Sequence, residues 1–346
     1  MKISTATRLL LTQCKVHGSG DAQVVISNSE VYALIFISVR DLGWEIEDLN
    51  LEPISLPSAN YFTIPVEWFA NLAVKGETSQ HLLVALAKAT EREADYALYI
   101  QNLSALHRRR VKYQRILSQQ PRPQMTQIGP RTLIEFGVCD SRLLSSWLIW
   151  RKWIYDIDNR SAQETGYLFE PILASSLGGE PIGANNSPVK RLDAEGNPTN
   201  RGRQIDCFIA AENLAYEFKL RVTIAASGQG RFGEELSFPY ECEAADITPI
   251  LLVLDPTPSP RLIQLEEAFI NAGGRSFVGD AAWEHMEEEA GDVMSVFIEK
   301  YIRPPIEAMS EFEEGEALSE IHLRWAKDSI TIENGEGHLY RINRSM

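Results

Sequence analysis

The stretch RQIDCFIAAENLAYEFKLR, residues 203–221, reads as two short strands joined by a turn near Glu212 and Asn213. At a period of two, Tyr216, Phe218, Leu220 and Val222 point one way along the second strand, and Ala215, Glu217, Lys219 and Arg221 the other. The apolar set faces a core, so the charged set must meet something polar. The first strand carries Asp206 in an otherwise apolar run, and pairing about the turn sets Asp206 beside Glu217. Two adjacent carboxylates need a cation or a shared proton. Hard divalent ions take such oxygen ligands, and Mg2+ commonly uses one or two carboxylates plus a substrate phosphate. Lys219, two residues beyond Glu217 on the same face, can hold a water in line with a phosphorus whose oxygen the metal polarises. The residues point to metal-assisted hydrolysis of a phosphodiester. Asp206 and Glu217 are the expected metal ligands, and Lys219 the group on the water. A surface hairpin with a Glu–Lys–Arg stripe is the structural alternative.

Working outward, TPILLVLD (248–255) is a continuous apolar run and reads as a strand buried on both faces. Around it, LIQLEEAFINAGG (262–274) reads as an amphipathic helix stopped by glycines, RSFVGD (275–280) as a strand and AAWEHMEEEAGDVMSVFIEKYI (281–302) as a helix. GQGRFGEELSFPYECEAAD (228–246) is part helix and part loop. Upstream, SRLLSSWLIWRKWIYDI (141–157) and SAQETGYLFEPILASSLGG (161–179) read as two helices, with Trp147, Trp150 and Trp153 on one core-facing side of the first. EPIGANNSPVKRLDAEGNPTNRG (180–202) reads as a long polar loop, a kind of segment that is usually functional or mobile. The order predicts an α/β fold with α+β leaning: a mixed central sheet flanked by helices.

The N-terminal part predicts a mixed strand and helix region. Residues 20–65 look strand-rich, through AQVVIS and VYALIFISV. Residues 66–118 look helical, with Ser79 as N-cap, and SQQPRPQ (118–124) is a polar break. A division follows, with residues 1–125 as an N-terminal clamp or dimerisation region. Residues 126–346 are then the core, with an acidic, helical C-terminal segment on which His285 and His322 stand alone.

The net charge of −15 argues at first against a nucleic-acid partner. Its distribution reverses that. Residues 281–320 hold 12 acidic and 2 basic residues, which supplies most of the net charge. Residues 96–134 hold no Asp or Glu, but carry Arg108, Arg109, Arg110, Lys112, Arg115, Arg122 and Arg131. HRRRVKYQR (107–115) suits phosphate contacts, which position a duplex without reading it. Cys14, Cys139, Cys207 and Cys242 are dispersed, with no metal-finger spacing. That fits a reducing compartment, and no run is long enough to span a bilayer, so a cytoplasmic protein is expected.

Asp206, ten intervening residues and Glu217-x-Lys219 together resemble the PD-(D/E)xK nucleases, with Ile205 where the motif name has proline. That resemblance implies a glutamate from the preceding helix at the metal site. Glu170 is the candidate, and Glu164 reads as a first-turn charge. Over about residues 160–305, ETGYLFEPILASSLGGEPIGANNSPVKR, GRQIDCFIA, AYEFKLRVTIAASGQGRFGEELSFP, TPILLVLDPTP and FVGDAAWEHMEEEAG resemble the type II restriction endonucleases of the ApaLI-like family. The resemblance implies a restriction-endonuclease-like core and a homodimer that cuts double-stranded DNA with Mg2+ at a short palindrome of the GTGCAC kind. It also implies a DNA methyltransferase in the same system. For DNA contact, Asn185, Asn186, Ser187, Lys190 and Arg191 of the long loop, Arg221, and Ser227, Gln229 and Arg231 past the strand offer the required donors and acceptors. Two other readings stay open: a repair or junction nuclease of the same fold, and a non-catalytic DNA-binding protein that keeps the fold.

Overall fold

The computed structural model describes residues 3–17, 24–74, 78–128, 141–219, 229–255, 259–310, 321–335, 337 and 339–344. The chain forms two compact units, each assembled from remote segments. One comprises Met1–Val16, Ile26–Ala105 and Phe169–Glu314; the other comprises His17–Val25, Leu106–Leu168 and Gly315–Met346.

The N-terminal half is helical. Helix α1 (Thr5–Lys15) leads into the two-residue strands β1 (Val16–His17) and β2 (Val24–Val25). Then come α2 (Asn28–Asp41), α3 (Val66–Asn71), α4 (Ser79–Arg92) and α5 (Tyr96–Gln119). The expected strand over VYALIFISV is instead the middle of α2. A β-branched, aromatic run cannot by its composition be told from a buried helix. The ends decide: Ser27 Oγ accepts from Glu30 N, and the Glu30 carboxylate accepts from Ser27 N, a complete capping box. Val31 to Ile35, Ile37 and Val39 are all buried, so α2 is apolar nearly all round. At α4 the N-cap is Thr78 rather than Ser79, one residue earlier than expected.

Helix α6 (Ser141–Ser176) is a single 36-residue helix where two were expected, and it contains Pro171. Three short strands occupy the expected loop 180–202: β3 (Glu180–Ile182), β4 (Lys190–Leu192) and β5 (Pro198–Gly202). Strands β4 and β5 form a hairpin around an Asp193 turn, where the aspartate carboxylate accepts from Glu195 N and Asn197 N. The central hairpin follows as β6 (Ile205–Ile209) and β7 (Leu214–Lys219), with Asn213 at φ +52° closing the turn. Next are α7 (Gln229–Glu243), β8 (Thr248–Val253), α8 (Pro260–Asn271), β9 (Arg275–Val278), α9 (Asp280–Phe297) and α10 (Arg303–Ser310).

The five-stranded sheet has the order β3-β6-β7-β8-β9. Strands β3, β6 and β7 pair antiparallel, while β7, β8 and β9 are parallel, so the sheet is mixed as expected. Each parallel step is bridged by a helix, α7 and then α8, as a crossover requires. Strand β8 is an interior strand between β7 and β9, and Ile250 to Val253 are fully buried. On one face Phe238 and Cys242 of α7 and Leu262, Leu265 and Phe269 of α8 pack with Ile205, Ala215, Leu251 and Val253. On the other, Tyr216 stacks on His285 of α9.

The second unit carries its own antiparallel sheet of β10 (Ile321–Trp325), β11 (Ser329–Asn334) and β12 (Leu339–Asn343), in that order. The expected C-terminal helical segment ends in these strands, and His322 lies on β10. The core here is Leu117, Trp153, Ile157, Ile330 and Ile342, flanked by Trp150 and Trp325. The three tryptophans do not share one environment: Trp153 is buried, Trp150 packs edge-on to Trp325, and Trp147 is 55% exposed. A three-residue step advances 300° around a helix, so two such steps drift off the buried stripe.

Candidate active site

Strand β7 places the site. Its N-terminal half is enclosed on both faces, and Ala215 sits fully buried against α7 and α8. Glu217 and Lys219 continue that same face toward the strand's end, where side chains emerge from the core. The β6–β7 register pairs Cys207 with Tyr216, and Asp206 and Glu217 lie one residue outside that pair. The Asp206 carboxylate accepts from Phe218 N at 3.0 Å, which locks it onto β7.

Lys219 Nζ donates to Glu217 Oε1 at 2.8 Å and to Glu235 Oε1 at 3.3 Å. These side chains are 16%, 13% and 17% exposed, so the ammonium sits largely out of water between two carboxylates. Burial works against its charge, but Glu217 and then Glu235 outweigh burial and hold it above the ordinary lysine range. Lys219 is therefore charged at neutral pH. Burial first, then the charges of Glu217 and Glu170, push the Asp206 carboxyl well above the usual carboxylate range, against the Phe218 N–H and Lys219. Burial and Glu217 also raise the Glu170 carboxyl. Glu170 of α6, Asp206 and Glu217 thus crowd one another electrostatically.

That crowding fits a hard divalent cation, which relieves carboxylate repulsion through oxygen ligands. Among the described residues, no three His, Cys, Asp or Glu side chains already stand as a ready ligand group. In the present arrangement Glu217 gives an oxygen to Lys219 and Asp206 gives one to Phe218 N.

The residues expected at DNA fall into different settings. Asn185 and Asn186 are exposed in the turn after β3. Ser187 is 2% exposed, and its Oγ accepts from Val189 N at 3.2 Å. Lys190 Nζ donates to Ser187 O at 2.7 Å, and Arg191 pairs with Glu234 at 3.0 Å. Arg221, Ser227 and Arg131 lie outside the described residues, as do the side chains of Gln229, Arg231 and Glu164. In the basic run, His107 and Arg108 are buried, whereas Arg115 and Arg122 are exposed.

Two residues at this site were not singled out in the sequence. Glu235 occupies an i, i+3, i+7 row with Phe238 and Cys242, both fully buried. A carboxylate on the buried stripe of a helix was the available signal. Arg203 opens the quoted stretch, and it is 8% exposed. Its Nη2 donates to Glu234 O at 2.7 Å, its Nε lies 3.7 Å from Glu241, and its guanidinium lies over Phe238. Arg203 therefore ties the start of the hairpin to α7.

A sequence model described as "ApaLI-like restriction endonuclease" matches residues 69–303. The type II restriction enzyme ApaLI of Acetobacter pasteurianus is 43% identical over 355 aligned residues, covering 98% of this chain and 92% of that protein. No solved structure matches the chain significantly. The chain is a restriction endonuclease of type II, a hydrolase. It belongs to the ApaLI-like restriction endonuclease family.

Proposed function

We propose that this enzyme hydrolyses phosphodiester bonds of double-stranded DNA at a short palindromic site of the GTGCAC kind, with Mg2+ and a PD-(D/E)xK centre. The observation that carries the reading is the largely covered Lys219 ammonium, 2.8 Å from Glu217 on the strand to which Asp206 is locked. Asp206 and Glu217 would hold the cation, with Glu170 beside them. A cation held there neutralises developing charge on a phosphoryl oxygen and lowers the pKa of a bound water. Lys219 hydrogen-bonds the attacking water and orients it toward phosphorus. The cluster is only partly exposed, so these charges are less screened than they would be in bulk water.

Asn185 and Asn186 suit adenine edges, Arg191, Arg221 and Arg231 suit guanine or phosphate, and Gln229 and Lys190 add polar groups of the required kind; Ser187, 2% exposed with its Oγ accepting from Val189 N, braces its loop rather than meeting DNA. A palindrome calls for a two-fold homodimer, and residues 1–125 would serve as its clamp or interface. A DNA methyltransferase of the same system would protect the host's own sites. Cys207 and Cys242 are free buried thiols, which supports a cytoplasmic setting.

The test is digestion of a plasmid of known sequence with Mg2+ and, separately, with EDTA. Discrete fragments with Mg2+, none with EDTA and none from an Asp206→Ala protein are expected. A smear, or cutting in EDTA, would sink the reading.

A further inference from the structure

We infer that Glu235 is a positioning residue for Lys219, holding the ammonium in place when Glu217 turns to a cation. The inference rests on the proposed role of Lys219 and adds a residue that this role requires.

Lys219 has two carboxylate partners of different origin. Glu217 is two residues away on the same strand, and Glu235 comes from α7. Glu217 cannot serve a cation and the ammonium equally. An oxygen committed to a metal is a poorer acceptor, and the metal's charge repels the lysine. The 2.8 Å bond is therefore the one that weakens when the site is loaded. A lysine ammonium is a compact charge on a flexible four-carbon stem. Without a second anchor it would be a buried charge without a partner, free to swing away from the water it must orient.

Glu235 answers both needs. It sits on the buried row of α7 with Phe238 and Cys242. Helix α7 is in turn fixed by the Arg203 bond to the Glu234 carbonyl and by the core beneath it. The anchor thus comes from a different element than Asp206 and Glu217. One Glu235 oxygen is used at 3.3 Å, and the other, Oε2, is buried without a hydrogen-bond partner among the described residues. The carboxylate has spare acceptor capacity for a second N–H of the same ammonium as Glu217 withdraws.

The experiment uses the full chain and a duplex carrying the sequence at which the wild-type enzyme cuts a plasmid. Glu235→Gln, Glu235→Asp and Lys219→Met are compared by single-turnover cleavage rate, duplex binding in EDTA, Mg2+ titration calorimetry and thermal melting. Glu235→Gln keeps the shape and removes the charge. Its cleavage rate should fall by about 10²-fold, the cost of roughly an ångström of misplacement. Duplex binding, Mg2+ affinity and melting should stay near wild type. Glu235→Asp keeps the charge and should retain more activity than Glu235→Gln. If Lys219→Met is inactive while Glu235→Gln cuts at the wild-type rate, the inference fails and the reading of Lys219 stands. If Lys219→Met cuts at the wild-type rate, both fall. Loss of Mg2+ affinity in Glu235→Gln would make Glu235 a metal ligand instead, and a fall in rate matched by lost folding would make it merely structural; either result overturns the inference.

Discussion

His285 looked solitary in the sequence, yet it is the middle of a stack. Its ring lies 4.1 Å from Phe277 at 5° and stacks on Tyr216, and its Nε2 shares a 3.1 Å hydrogen bond with the Tyr216 hydroxyl. Burial lowers its pKa, assisted by Arg275 and opposed by Glu289 and Glu288. A folded-state value below the unfolded one favours the neutral ring. The stability it contributes is present above the unfolded value of about 6.5 and is lost as pH falls through the folded value. His285→Phe should therefore flatten the decline in melting temperature between pH 7.5 and pH 5.5, relative to wild type. An unchanged slope would remove His285 from that acid sensitivity. At the cluster itself, Asp206, Glu217 and Lys219 were legible because strand periodicity is local and puts i and i+2 on one face. Glu235 was not legible as their partner. It lies 16 residues beyond Lys219, and only the packing of α7 brings it back.

Helix α8 ends in two glycines that do different work. Gly273 adopts φ +72°, a left-handed conformation that side chains disfavour. Gly274 packs against the start of β8: a Cβ there would overlap the Pro249 carbonyl oxygen and lie 2.9 Å from that of Phe269. Both neighbours are backbone and cannot swing aside. Gly274→Ala should lower unfolding free energy by about 1–3 kcal/mol, the cost of overpacking, as read by urea denaturation. A variant as stable as wild type would show that this turn can shift. The stop signal was visible in sequence as Gly-Gly, but the reason for the second glycine was not. The same limit produced the wrong element for VYALIFISV. Composition favoured a strand, whereas the Ser27–Glu30 capping box and the cover of neighbouring helices made α2.

Across the whole molecule, a net charge of −15 coexists with a stretch from 96 to 134 that has no acidic residue. Only some of its cations face solvent: Arg115 and Arg122 do, while Arg108 is buried. For phosphate contact the exposed pair matters. Arg115→Gln with Arg122→Gln should weaken binding to any duplex to a similar degree and flatten the salt dependence by about 0.9 per charge removed. The checking measurement is duplex affinity across a salt series, and an unchanged slope would take this run out of the interface. The two compact units are each built from segments far apart in sequence. A linear scan for composition breaks finds the proline-bearing stretch at 118–124, but it cannot show which remote segments pack together.

What the sequence by itself determined is local. It specified the hairpin, the buried β8, the helix–strand alternation behind them, and the Asp206, Glu217 and Lys219 face. All of these follow from side-chain alternation and turn chemistry within a few residues. Only the tertiary structure decided that α2 is a helix, that the 180–202 loop contains strands, and that Trp147 is exposed while Trp153 is buried. It also brought Arg203 to α7 and Glu235 to Lys219. These depend on which surfaces are covered by segments distant in the chain. Burial and pairing across such distances set the energies of those choices, and no short stretch of sequence carries them.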